Sequence, residues 1–323
     1  MPRFNIHHVT KYTYEGPVRD SANQIILFPV KDACQEVLRQ ELNITGEPPV
    51  DTYMDYYGNE IGSFSHAEPH TVLVIDSQVE VVTKPRPPID DSAPADTQWA
   101  LLEQIRWQVP YIDFLKQERF ESLAEVVESV GTVNARGGTP LQAAMELRNY
   151  VYENFKYIKG VTSVESTIDE VWRLRAGVCQ DFAHMLMVFL RQTQIPARYV
   201  SGYICPNKNG MRGEGATHAW IEAYIPFNGW VGLDPTNNCI ADDLHVRLAM
   251  GRSFSDVSPV KGMYKGTAGQ HLEVGVSVSY ENGRLAEEEA MTVLSPQPSA
   301  DGDTSNSYRR YMEMMQQQQQ QQQ

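Results

Sequence analysis

Three residues in this chain have the types and the order that acyl-transfer chemistry needs. Cys179 stands in GVCQDFAHMLMVFL, His218 in GATHAWIEAYI and Asp234 in GWVGLDPTNN. A cysteine just ahead of an apolar run sits at the mouth of a buried helix. The first-turn N–H groups there are unpaired and carry partial positive charge. They stabilise a thiolate and can bind the oxyanion of a tetrahedral intermediate. Taken alone, a free cysteine is more often a small core filler, so Cys179 needs a base before it counts as a nucleophile. His184 follows five residues later, and at about 3.6 residues per turn it points away from Cys179. It reads as a helix histidine satisfied locally. His218 instead opens a strand, and Asp234 closes the next one after a tight turn at Phe227, Asn228 and Gly229. Strands joined in this way are antiparallel neighbours, which brings His218 and Asp234 to the same end of a sheet. A carboxylate placed there holds the imidazole tautomer and stabilises the imidazolium. Singly, His218 is a half-buried strand residue and Asp234 an Asp-Pro turn residue. Together, in this order, the three point to a thiol that attacks an acyl carbon.

The elements that must position them fall into two kinds. Early in the chain the period is two: Phe4, Ile6, His8, Thr10, Tyr12 and Tyr14 share one side of a strand, and Leu38, Leu42 and Ile44 share another. Gly58 and Asn59 in DYYGNEIGSF mark a hairpin, and TVLVIDSQVEVVT is a further strand. This predicts an antiparallel β-sandwich over 1–84. The stretch 85–96, rich in proline and acid, reads as a linker. Then the period becomes helical. Thr139 and Pro140 start a helix that carries Leu141, Ala144, Leu147, Val151 and Phe155 on one face. Thr167 and Glu170 form a capping-box pattern. After Cys179, Ala183, Leu186, Met187 and Leu190 mark one face while Phe182, Met185 and Phe189 cover much of the rest, so this helix is buried on nearly all sides. ARYVSGYI, THAWIEAYI, WVGLD and HLEVGVSVSY are strand-like. The expected second unit is 97–295, helices packed on an antiparallel sheet, and the fold class is α+β. The polar remainder, 296–323, ends in Gln316 to Gln323 and is expected to be disordered.

GVCQDFAHMLMVFLRQTQIPARYVSGYI followed by THAWIEAYIPFNGWVGLDPTNN resembles the transglutaminase-like superfamily core, which is itself similar to papain-like cysteine proteases. The resemblance covers about 140–245. The β-rich first segment, with its D-x-x-GN hairpin, resembles the N-terminal domain that often precedes this core in bacterial proteins. Carried over, it implies Cys179 as nucleophile, His218 as base and Asp234 as orienting carboxylate, with a thioester acyl-enzyme resolved by water or by an amine. The family often adds a side-chain donor for the oxyanion; Tyr157 and Trp172 lie upstream of Cys179, and no motif selects between them. No D-x-[DN]-x-[DN] loop of the calcium-binding type is found, so the resemblance does not extend to the regulation of the calcium-dependent animal cross-linking enzymes.

Composition narrows the rest. A formal net charge of -14 repels phosphate backbones and anionic lipid, which argues against nucleic acid or membrane as partner. No apolar run approaches the roughly 18 residues of a membrane span, and the N-terminus lacks an apolar signal core. The four cysteines, Cys34, Cys179, Cys205 and Cys239, are scattered with no C-x-x-C pair. They read as free thiols in a cytoplasmic protein, with no metal or organic cofactor expected. The expected partner is a peptide or protein substrate. The leading expectation is a peptidase or amidase. An amine-accepting protein-glutamine transglutaminase is the first alternative, and a non-catalytic peptide-binding scaffold the second. Trp172, Trp220, Tyr224 and Trp230 are the aromatics expected near the site. Trp220 and Tyr224 share the side-chain parity of His218, and core packing between helix and sheet is the plainer role for all four.

Overall fold

The computed structural model describes residues 1–117, 119–132, 137–163, 166–205, 211–213 and 216–281. The polar tail expected over 296–323 lies outside the described residues. The period-two pattern of the N-terminus becomes β1 (Arg3–Ile25), a strand of 23 residues with Phe4, Ile6, His8, Thr10 and Tyr14 buried. The chain runs on through β2 (Gln35–Ile44), β3 (Asp51–Met54), β4 (Glu60–His66) and β5 (His70–Thr83). A register shift between Thr13 and Val18 lets β1 serve two sheets: its first half pairs with β5 and its second half with β4. Leu38 departs from the expected period. A shift between Val37 and Arg39 throws it out of line, and it is exposed while Ile44 is buried. The Gly58–Asn59 signal does form a turn between β3 and β4, with Asp55 Oδ1 accepting from the Tyr57 and Asn59 N–H groups.

Helices α1 (Ala95–Ile105), α2 (Tyr111–Leu115) and α3 (Leu123–Thr132) precede α4 (Pro140–Asn154). In α4 the Thr139 hydroxyl caps Gln142 N and the Gln142 side chain reaches back to Thr139 N. Next come β6 (Lys156–Tyr157), α5 (Ile168–Leu174), β7 (Ala176–Gly177) and α6 (Cys179–Gln192). The chain then builds a sheet from β8 (Ala197–Ile204), β9 (Thr217–Ile225), β10 (Gly229–Asp234), β11 (Cys239–Ile240) and β12 (His245–Gly251), in the order β11-β10-β9-β8-β12. Helix α6 is buried on nearly every side: Phe182, Ala183, Met185, Leu186, Phe189 and Leu190 are all sealed from solvent. They pack with Leu147, Val151 and Trp172 from the helices and with Ala219, Ile221, Ala223 and Ile225 from β9. Each such Leu or Phe contributes about 1.5–3 kcal/mol relative to exposure, so the seat of α6 is rigid.

The other side of this sheet is covered by the N-terminal β structure. Tyr203, Val246 and Leu248 share a core with Phe4, Ile6 and Leu27. Asn59 clamps Met250 through both backbone groups, at 2.7 and 2.8 Å. Glu222, fully buried on β9, is neutralised by Arg198, Arg86 and Arg247. Arg86 belongs to the expected linker, so that segment is fastened to the sheet it leads into. The chain then passes through α7 (Phe254–Val257) and returns as β13 (Val260–Lys265) and β14 (Gln270–Tyr280). Here the sequence-based division needs correcting. The expected second unit, 97–295, includes β13 and β14, yet β14 pairs antiparallel with the first half of β1 and β13 with its second half, so both belong to the N-terminal β structure.

Candidate active site

The GVC motif has a steric and a hydrogen-bonding reason. Asp181, at the third position of α6, folds back so that its Oδ2 accepts from Val178 N at 2.7 Å and from the Thr162 hydroxyl at 2.6 Å. A side chain at position 177 would collide with that carboxylate, so glycine is required there. Burial pushes the Asp181 pKa up, against the pull of these two donors. Cys179 is thereby fixed at the first position of α6, half-buried, where its own N–H and that of Gln180 precede the first helical acceptor.

His218 and Asp234 meet as their strands predict. His218 Nε2 donates to Asp234 Oδ2 at 2.9 Å, with both side chains sealed from water. An ionised carboxylate only accepts, so the pair fixes the ring proton on Nε2. Nδ1 is left without a nitrogen or oxygen partner. Its neighbour is Cys179, whose thiol helps to raise the imidazole pKa. Burial works against a charge on His218, but the Asp234 carboxylate outweighs it and, with Cys179, holds the pKa up at about 9. Burial likewise works against a charge on Asp234. The two histidines that touch it, His218 and His245, pull it the other way, well below the usual carboxylate range. Asp234 accepts from Thr236 N (2.8 Å) and Asn237 N (3.2 Å) on Oδ1. On Oδ2 it accepts from Asn237 Nδ2 (2.8 Å) and His245 Nε2 (3.3 Å) besides His218.

His245 is a residue the sequence reading missed. It lies on β12, at the far edge of the sheet from β11, and only the loop after Asp234 brings it back. No local pattern announces such a contact. Trp220 packs between the histidines, 6.2 Å from His218 and 5.2 Å from His245 between ring centroids. Gly202 on β8 leaves room for its indole. Trp220 thus shares a face with His218 as its parity requires. It is not core packing between helix and sheet, because its cluster is Val200, Ala241 and Met250 on the other side. Tyr224 has the right parity but lies at the opposite end of β9, against Tyr111 and Trp230. Trp230 itself stacks under Arg198.

The two upstream aromatics separate clearly. Trp172 Nε1 donates to Glu125 Oε2 at 3.0 Å, so its N–H is engaged away from the thiol. Tyr157 is held close by the parallel pairing of β6 with β7 and by Ile158 N donating to Gly177 O at 2.9 Å. Burial first, and Cys179 next, push its phenol up to about 12, so it remains an O–H donor. Arg212 lies over Tyr157 and Tyr152. His184, expected to be satisfied locally, accepts instead from Phe254 N at 3.4 Å and lies tilted against Tyr199. Burial, with some help from Arg191, presses its pKa down to about 4, so it is neutral.

The arrangement supplies a thiol at a helix N-terminus, an imidazole whose Nδ1 is left for that thiol, and a buried carboxylate behind it. Comparison with known proteins places it. Residues 129–235 match the model of the transglutaminase-like superfamily core, and residues 4–82 match that of the bacterial transglutaminase-like N-terminal region. A Mycobacterium leprae protein of no assigned function is 31% identical over 86% of this chain and 99% of its own length. A Pseudomonas aeruginosa protein-glutamine gamma-glutamyltransferase is 32% identical over 97 residues, which are 28% of this chain and 14% of that protein. A crystal structure from Cytophaga hutchinsonii, provisionally described as a cysteine protease, has the same fold: TM-score 0.66, 20% identity, covering 87% of this chain and 98% of that one. The chain therefore belongs to the transglutaminase-like superfamily, in the form in which a bacterial N-terminal β region precedes the core.

Proposed function

We propose that the protein is a cysteine-dependent amidase or peptidase acting on a peptide or protein amide through a thioester. The observation that carries the reading is the orientation of His218: Nε2 on Asp234, Nδ1 free and beside Cys179. Cys179 Sγ attacks the carbonyl carbon, and its proton resides on His218 Nδ1. The C–N bond breaks as that proton passes to the leaving amine. Water, deprotonated by the same nitrogen, then adds to the thioester, and the C–S bond breaks to release a carboxylic acid. The oxyanion is held by the Cys179 N–H and by the Tyr157 hydroxyl, whose place beside the thiol and raised pKa support that role.

Transfer to an amine is the second reading, favoured by the likeness to the Pseudomonas gamma-glutamyltransferase. Both share the first half-reaction, so the three residues do not separate them. A transferase needs a second groove that admits an amine and keeps water out. The aromatics Tyr224 and Trp230, which would be candidates to line one, cluster with Tyr111 away from His218. Intact-mass analysis of a glutamine-containing peptide library, with and without methylamine, decides the matter. The expected product is the free acid in both arms. A dominant methylamide would replace the hydrolase reading with the transferase one.

A further inference from the structure

We propose that Asp234, Cys239 and His245 form a binding site for a soft divalent cation of the zinc type, and that an ion bound there switches the nucleophile off. The existence of the site does not depend on the proposed function; the inhibitory consequence rests on it, through Asp234.

The donor set is carboxylate, thiol and imidazole, and one ligand atom from each lies within 4.8 Å of the others. The fold builds this proximity. Asp234 and Cys239 are direct cross-strand partners of β10 and β11, and the loop that follows returns His245 to the same carboxylate. Asp234 Oδ2 and His245 Nε2 are 3.3 Å apart. Zinc bonds of about 2.0–2.1 Å at a tetrahedral angle separate an oxygen and a nitrogen by roughly that distance. The sulfur must stand about 3.6 Å from each, which a rotation of the half-buried Cys239 side chain can supply. The second nitrogen of His245 is already held by Asp242: Nδ1 lies 3.1 Å from its Oδ1 and 3.2 Å from its backbone N. Metal-binding histidines are commonly oriented by a carboxylate in this way. Arg148, bonded through Nε to Asn238 Oδ1, lies near enough to act on both Asp234 and Cys239. Its one positive charge faces two from the ligands, carboxylate and thiolate, with Asp242 behind.

Binding displaces the Cys239 thiol proton and the His245 Nε2 proton, both released to solvent. The consequence for the nucleophile follows from sharing. Oδ2 is the same oxygen that receives His218. The ion takes the place of the His245 proton on that oxygen and draws charge out of the carboxylate, so Oδ2 becomes a poorer acceptor for the His218 N–H. The hydrogen bond that orients the His218 ring toward Cys179 is thereby weakened.

The test uses Co²⁺ as probe on full-length Cys179→Ala protein, so that the nucleophile itself cannot bind the metal. The expected result is a thiolate-to-cobalt charge-transfer band in the near ultraviolet, saturating at one ion per chain and bleached by Zn²⁺. The band disappears in Cys179→Ala/Cys239→Ser, a nearly isosteric change whose folding is checked by circular dichroism. Asp242→Asn on the Cys179→Ala background weakens cobalt by about 10–100-fold. In protein that keeps Cys179, Zn²⁺ slows iodoacetamide labelling of that residue, and Cys239→Ser abolishes the slowing. No band in Cys179→Ala, or a band that survives loss of Cys239, overturns the site. Slowing by Zn²⁺ that persists without Cys239 means the ion sits on Cys179 and His218, and overturns the switch. Because the cobalt band needs no turnover, its absence leaves the proposed hydrolase standing, and its presence survives the loss of that proposal.

Discussion

The two ends of α6 obey opposite rules. At the C-terminal end the buried side chains and the last carbonyls of Phe189, Leu190 and Arg191 find partners. Arg191 donates to the carbonyls of Phe114, Lys116, Ala197 and Arg252, and the Thr193 hydroxyl donates to Leu190 O. At the N-terminal end polar capacity is left open. The N–H groups of Cys179 and Gln180 precede the first helical acceptor, Val178 O, Cys179 is half-buried, and a buried ring nitrogen of His218 has no nitrogen or oxygen partner. A buried polar group without a partner is costly, and one that lies beside a thiol marks a place for a reacting group. The saturated end anchors the helix, and the open end is where a substrate oxygen and a reacting proton belong.

This contrast can be broken from either side. Cys179→Ala should remove acyl-enzyme formation altogether, a loss on the order of 10⁶ in turnover, while the melting transition stays in place; steady-state rates beside calorimetry check both halves. Asp234→Asn keeps the volume but can present an N–H to the imidazole. A fall of roughly 10²–10⁴ in kcat is expected, and a fall below about threefold would reduce Asp234 to a turn residue. Arg191→Met reverses the pattern. It should cost about 3 kcal/mol or more in denaturant unfolding, because several buried carbonyls lose their donor, yet leave kcat per folded molecule unaltered. A loss of kcat with stability intact would contradict the division of labour between the ends.

The smallest effect concerns pH and stability, and it uses two histidines of opposite character. His218, raised to about 9, contributes stability that is complete below the unfolded value near 6.5 and fades as pH rises through 9. His184, lowered to about 4, contributes stability present above 6.5 and lost as pH falls toward 4. His184→Gln should therefore flatten the acid limb of a stability profile and leave the alkaline limb unchanged. A profile altered only on the alkaline side would show the burial argument for His184 to be wrong.

Much of this was legible in the residues. Glycine before cysteine, an all-round apolar helix and a short turn between His218 and Asp234 are local signals, and local signals survive in a sequence. The failures share one cause. Alternation in HLEVGVSVSY announces a strand, but its partner β1 lies some 260 positions earlier, and no short-range pattern encodes that pairing. The same holds for His245, carried back to Asp234 from the far edge of the sheet, and for Tyr224, whose parity was right while its end of the strand was not. Parity gives a face; only the register gives a neighbourhood. Trp172 was set aside by a tertiary hydrogen bond to Glu125 on α3, which no motif near Cys179 contains.

The central claim is that Cys179 is the nucleophile and that Asp234 holds His218 in position to serve it. The most direct measurement is the rate of iodoacetamide labelling of each cysteine, resolved by peptide mass, across about pH 6 to about pH 8.5. The account predicts that Cys179 labels fastest of the four cysteines throughout that range, and that Asp234→Asn brings its rate down toward theirs. A Cys179 that labels no faster than Cys34 or Cys239 in the unaltered protein would contradict it.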